Sequence, residues 1–290
     1  MGARIEAAAS GWDVSPVRLL RPIPGIFSLA DLDTSATPGF VGSKSDAVGL
    51  LQDRGKRLHT LQEKLYANAV AGNGRAVLLV LQGMDAAGKG GIIRHVLGTV
   101  NPEGVDHAPF GVPSSEERQH HFLWRVHKAL PRLGHIGVFD RSHYEDVLVA
   151  RVRKLVPEEV WQGRYCEINE FEEQVADQGT VIVKVAMFIS LDEQRQRLLD
   201  RLQDPHKYWK FSPRDVDDRL LWPAYRDAYQ ALLDKTSTEV APWYVVPSDH
   251  KWYSRITVME LLIAALESMN LSWPSAHYDI DEEIARLERS

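Results

Sequence analysis

The sequence predicts an α/β fold in which a parallel sheet is covered on both faces by helices. Three observations carry this. Four apolar runs, "AVLLVLQG" (76–83), "HIGVFD" (135–140), "TVIVKVAMFIS" (180–190) and "WYVVPS" (243–248), are short for helices and read as buried strands. Segments with apolar residues at three- and four-residue steps separate them. The first run passes directly into a glycine-rich turn, "GMDAAGKGG", which opens the next helical segment. Such an alternation sets ligand sites at the carboxyl ends of the strands.

Taken in order, residues 1–45 are rich in Ala, Ser, Pro and Gly and read as an N-terminal extension, draped over the core or partly disordered. Residues 46–290 form one domain. From Lys44 to Val70 the pattern is helical, with Leu50, Leu51, Leu58, Leu61 and Leu65 on one face, and it stops at Ala71-Gly72-Asn73-Gly74. After the glycine-rich turn, Ile92, Ile93, Val96 and Leu97 give a second helical face. Ser114 and Glu117 have the spacing of a capping box ahead of a helix carrying Phe122, Val126 and Leu130. Ser190 and Glu193 cap a helix ending near Asp204-Pro205. Ser212, Pro213 and Asp215 start another, which Pro223 is expected to kink. Between them "DPHKYWKFSP" makes an exposed basic and aromatic tip, so 191–236 reads as a two-helix lid.

The composition is that of a soluble globular protein: 290 residues, 44% hydrophobic and 26% charged. A net charge of -6 argues against broad nucleic-acid binding. Cys166, the single cysteine, cannot form an internal disulfide, which fits a reducing cytoplasm. No secretory signal or membrane span is expected, since the strongest apolar run, Val181 to Ile189, is short and carries Lys184.

Chemistry concentrates in two stretches. Gly83 to Lys89 satisfies G-x-x-x-x-G-K, a loop whose backbone N–H groups converge on phosphate oxygens while the lysine supplies a point charge. Gly83, Ala87, Gly88, Gly90 and Gly91 are its phosphate-binding positions. The loop departs from expectation twice: Gly90 stands where a hydroxyl residue is usual, and Asp85 puts an anion inside a phosphate cradle. The second stretch, Phe139-Asp140-Arg141-Ser142, ends a strand with a carboxylate fit for magnesium and an arginine fit for phosphate. Mg2+ keeps one or two carboxylates plus substrate phosphates. Asp85 can therefore replace the missing hydroxyl and, facing Asp140 across the strand ends, hold the metal; a carboxylate there requires a neutralising cation. On the lid, Arg201, Lys207 and Lys210 are positioned to overhang the strand ends, and Arg197 lies one turn before Arg201. Arg195, Arg214 and Arg219 read as solvated surface, and His120, His121 and His127 lack zinc-ligand spacing.

These stretches, with "FLWRVHKALPRLGHIGVFDRSHYEDVLVARV" and "DPHKYWKFSPRDVDDRLLWPAYRDAYQALLDKTSTEVAPWYVVPSDHKWYSR", resemble the polyphosphate kinase 2 family over most of the chain. "RSHYEDVL" is most similar to its class III branch, whose members act on nucleoside monophosphates and diphosphates. The resemblance implies a P-loop kinase fold like that of thymidylate kinase, a three-layer sandwich with a helical lid. It implies reversible, magnesium-dependent phosphoryl transfer from inorganic polyphosphate to AMP and ADP, with guanine nucleotides left open as acceptors. It also implies a homo-oligomer, commonly a tetramer. By position, Asp85 and Asp140 would bind metal and orient the attacking phosphate, while Lys89, Arg141 and Arg201 would stabilise the transferring group. Two other readings compete: an ATP-dependent nucleoside monophosphate kinase, which Gly90 and Asp85 disfavour, and a nucleotide-binding switch without turnover.

Overall fold

The structure, a computed structural model, describes residues 11–290. Five parallel strands form one sheet: β1 (Ala76–Gly83), β2 (Val105–Pro109), β3 (Ile136–Asp140), β4 (Thr180–Phe188) and β5 (Trp243–Pro247), in the order β2-β3-β1-β4-β5. The four expected strands are present to within two residues at their ends. β2 was not anticipated, because "VDHAP" at the sheet edge is half-exposed and carries no apolar run. In β1 every residue is buried, and successive side chains serve opposite faces. Val77, Leu79 and Leu81 join one core; Leu78 and Val80 join the other. That two-sided burial is why the strand reads as a continuous apolar run rather than an alternation.

The main helices are α1 (Lys44–Val70), α2 (Lys89–His95), α3 (Trp124–Ala129), α4 (Glu158–Asp177), α5 (Leu191–Leu202), α6 (Pro213–Leu220), α7 (Trp222–Thr236), α8 (Lys251–Ser268) and α9 (Ile280–Glu288), the last of which buries no residue. α1 and α8 pack on the face with Val77 and Leu79, and α4 and α7 on the other. α1 starts at a capping box in which Ser43 and Asp46 satisfy each other's backbone N–H groups.

Two local expectations need correction. The reciprocal Ser114–Glu117 hydrogen bonds form, at 2.7 and 3.1 Å, but they close a turn that leads into a short 3-10 segment (Glu117–Gln119), and α3 begins only at Trp124. Pro223 does not kink one helix. The chain breaks at Leu221, and Pro223 lies in the first turn of α7, where its missing N–H costs nothing.

The segment from Gly11 to Ser43 lies against the core. Trp12, Leu20 and Phe40 are buried with Tyr253 of α8, and the Tyr253 hydroxyl donates to the Pro38 carbonyl at 2.8 Å. Val245 N–H donates to the Leu20 carbonyl at 2.8 Å, which covers the outer edge of β5.

Candidate active site

β1 and β3 run side by side, with Leu81 paired to Asp140, so the phosphate loop and the Asp140-Arg141 turn emerge together. Gly83 is forced by packing: a side chain there would meet the Met187 carbonyl of β4 at 2.7 Å. Gly88, at φ 117°, occupies a conformation that favours glycine and starts α2. At Gly90 the case differs. A Cβ would meet nothing within 4 Å, so packing does not require glycine at this position.

Lys89 folds back under the loop, and its Nζ donates to the Gly83 carbonyl at 2.6 Å. Burial, together with the nearby Arg141, lowers its pKa, against the opposing pull of Asp85, Asp140 and Glu145. Asp85 and Asp140 both line the cleft at these strand ends.

From the sequence, a metal is expected to neutralise Asp85; in the structure a side chain of the protein already pairs with it. Arg141 Nη2 lies 2.7 Å from Asp85 Oδ1. Arg141 leaves β3 at φ 64° and Ala86 crosses the loop at φ 65°, both unusual for residues other than glycine. Burial works to lower the pKa of Arg141, but Glu145 and Asp85 more than offset it and hold the guanidinium above its ordinary value. Burial raises the Glu145 carboxyl in turn. For a metal, the available donor set is one of carboxylate oxygens. Asp85 and Asp140 are hard oxygen donors, no cluster of three or more His, Cys, Asp or Glu exists among the described residues, and phosphates and water would complete the shell.

On α5, Arg201 Nη1 donates to the Lys210 carbonyl at 3.0 Å and to Asp215 Oδ2 at 3.3 Å. Lys207 pairs with Asp204 at 2.8 Å, and Lys210 stacks over the Trp209 ring. These residues and the phosphate loop line one cavity of about 850 Å³. All the sequence-predicted site residues line it except Gly83, which sits behind the loop as the acceptor for Lys89. Its wall holds nine Lys and Arg side chains against three carboxylates, in a chain whose net charge is -6. Four basic residues there went unnoticed in the sequence: Arg94 and His95 on α2, and Lys251 and Arg255 on α8. The available signal was topological, since "HKWYSR" follows directly on the carboxyl end of β5. Arg197, grouped by spacing with Arg201, is instead buried behind the loop. A second, narrow cavity of about 50 Å³ opens on the other side of Asp85 and Arg141, lined also by Glu145, Asp218, Tyr225 and Tyr229.

A parallel sheet, a phosphate loop after β1, a carboxylate ending the neighbouring strand and a cationic cleft between them define a P-loop phosphotransferase. The sequence matches the family described as Polyphosphate kinase 2 (PPK2) over residues 43–274. It is 49% identical over 250 residues to an AMP/ADP-polyphosphate phosphotransferase of Meiothermus ruber, covering 86% of this chain and 92% of that one. It is 44% identical over 247 residues to an ADP-polyphosphate phosphotransferase of Rhodopseudomonas palustris, covering 81% and 84%. The fold superposes on the crystal structure of polyphosphate kinase 2 from Arthrobacter aurescens TC1 with a TM-score of 0.94 and 48% identity, over 96% of this chain and 98% of that one. The chain belongs to the polyphosphate kinase 2 family.

Proposed function

We propose that this protein transfers the terminal phosphoryl group of inorganic polyphosphate to AMP and ADP, reversibly and with Mg2+. The observation that carries this is the cleft, nine basic side chains against three carboxylates in an acidic protein, at the mouth of a phosphate loop. A polyanionic donor is the ligand such a field attracts. The donor chain lies in the large cleft, held by the loop N–H groups, Lys89, the lid cations Lys207 and Lys210, and Arg94 and Arg255 beyond the loop. The acceptor phosphate approaches through the narrow cavity on the other side, which opens when the lid formed by 191–236 moves. Asp85 and Arg141 line both cavities, as residues bridging two phosphate substrates must.

Asp85 and Asp140 would hold Mg2+, which when bound neutralises charge on the substrate phosphates. Lys89, Arg141 and Arg201 stabilise the charge spread over the transferring group as the bond to the donor breaks and the bond to the acceptor oxygen forms. The Meiothermus ruber relative's name, with both AMP and ADP in it, supports the class III reading. A cytoplasmic location, a tetrameric assembly and guanine nucleotides as further acceptors complete this reading and rest on the family resemblance and the composition. The missing hydroxyl at Gly90 counts against an ATP-dependent kinase, where such a group helps hold the nucleotide-bound metal. The test mixes purified protein, Mg2+ and long-chain polyphosphate separately with AMP, ADP, GMP and GDP in the absence of ATP. Formation of ADP and ATP is expected; turnover only when ATP is supplied would overturn the proposal.

A further inference from the structure

Arg197 on α5 is 5% exposed, and all five of its N–H donors are engaged inside the protein. Nε donates to Glu193 Oε1 at 2.6 Å. Nη1 donates to the carbonyls of Ala86 at 2.9 Å and Ala87 at 3.0 Å. Nη2 donates to the carbonyls of Ser248 at 2.7 Å and Asp249 at 2.9 Å, in the turn between β5 and α8. Beside it the fully buried Gln194 donates to the Asp85 carbonyl at 3.0 Å and accepts from Arg219 of α6 at 3.2 Å.

Three consecutive carbonyls of the phosphate loop, those of Asp85, Ala86 and Ala87, are thus turned toward α5. In a trans peptide the next N–H points the opposite way. The N–H groups of Ala86, Ala87 and Gly88 therefore face away from α5. That of Ala87 closes a turn onto the Met84 carbonyl at 3.0 Å, which leaves those of Ala86 and Gly88 for the cleft. Ala86 holds this arrangement at φ 65°, a conformation that persists only where the surroundings impose it.

We propose that Arg197 is a positioning residue, whose buried guanidinium locks the phosphate loop, the β5–α8 turn and α5 into one unit. The same clamp fixes the rotation of α5, so that Arg201, one helical turn further on, is presented together with the phosphate-binding N–H groups. Lysine cannot substitute. It has the charge, but not the planar fork that reaches four carbonyls on two loops. The inference rests on reading the cleft as a phosphoryl-transfer site and adds what holds that site in shape.

The test pairs Arg197→Lys with Gln194→Leu, which leaves Arg197 in place and removes the contact to the Asp85 carbonyl together with the acceptor for Arg219. Amide hydrogen exchange over residues 84–91, followed without substrates, reads the clamp directly. Exchange should accelerate about tenfold or more in Arg197→Lys, and less in Gln194→Leu. Turnover with polyphosphate and ADP should fall about tenfold to a hundredfold, as misplaced positioning groups cost, while KM for ADP stays within about twofold. If Arg197→Lys does not fold, Gln194→Leu carries the test with the same readouts. Unchanged exchange in both variants overturns the clamp, and so does unchanged exchange in Arg197→Lys with a loss of turnover, which would make Arg197 a direct substrate contact. A wild-type protein without polyphosphate-dependent turnover would overturn the functional reading, while the exchange data would still judge the clamp.

Discussion

Arg141 Nη2 meets Asp85 Oδ1 at 2.7 Å, tying the end of β3 to the carboxylate inside the phosphate cradle. The anion in the loop therefore has a partner before any metal or substrate arrives. A metal drawn to Asp85 would release Arg141 to the phosphates, so one exchange of partners readies both groups. Asp85→Asn should keep polyphosphate binding, or tighten it, because loop N–H groups and Lys89 remain and Arg141 is freed. Turnover should fall by about a hundredfold or more, as when a positioned electrostatic element is lost. Asp140→Asn should behave alike. The double variant should lose much less than the product of the two, since both carboxylates serve one centre. Magnesium-dependent ATP formation from ADP and polyphosphate checks this; a folded Asp85→Asn enzyme with near-normal turnover would refute it.

The basic wall of the cleft should act through charge at a distance. Burial lowers the pKa of Arg255, and the neighbouring Arg94 and Arg197 add to the effect, so positive charge is crowded at this wall. Neutralising Arg94 and Arg255 together, or Lys207 and Lys210 together, should raise KM for polyphosphate more than KM for ADP. Either pair of changes should also flatten the dependence of donor binding on salt. Equal donor affinity at low and high salt in wild type and variants would sink the donor track.

Arg201 should behave differently from those lysines. It is held by Asp215 at 3.3 Å and the Lys210 carbonyl at 3.0 Å, at the end of α5 where the lid tip begins, whereas Lys207 and Lys210 lie on the tip itself. Arg201→Ala should depress kcat strongly, by about a hundredfold, with a smaller change in polyphosphate KM, because a contact made in the transition state is lost. A loss confined to KM would assign Arg201 to donor binding instead.

The parts of the fold legible in sequence were those whose signal is local. β1 and α1 have the bounds that their apolar patterns imply, because burial on two faces or one stripe writes itself into residue order. β2 was missed because an edge strand buries little, and its "VDHAP" is recruited by pairing with β3. In the site, the phosphate loop and Asp140-Arg141 were visible as motifs. The pairing of Asp85 with Arg141, 56 positions apart, was not, since it depends on β1 and β3 lying side by side. Arg197 illustrates the same limit. Spacing alone grouped it with Arg201 on a basic face, whereas the rotation of α5 turns it inward to backbone carbonyls.

Lys184, the charge in the middle of an apolar strand, supplies the last prediction. It is fully buried on β4, with Nζ 2.5 Å from Glu172 Oε2 of α4, 2.8 Å from the Tyr144 hydroxyl and 2.6 Å from the Thr236 carbonyl. Tyr144 follows the Asp140-Arg141 turn closely, so the network also backs the segment that delivers those residues. Burial alone would raise the Glu172 carboxyl, but Lys184 and His143 outweigh it and hold the group below its ordinary value. A depressed carboxylate contributes stability that is present above its unfolded pKa, about 4.3, and is lost as pH falls through the folded value. Wild type should therefore lose this contribution below about pH 4. Lys184→Met should cost about 3–5 kcal/mol at pH 7, because it leaves a buried carboxylate without its cation. In that variant the sign reverses: burial now raises the Glu172 carboxyl, so mild acidification from neutral pH should stabilise rather than destabilise. Adding Glu172→Gln should recover much of the loss and remove the pH dependence. Thermal melts of the wild type and both variants between neutral and acidic pH measure all three effects. A Lys184→Met protein that melts like wild type at pH 7, or that only loses stability on acidification, would show that the pair does not hold this part of the core.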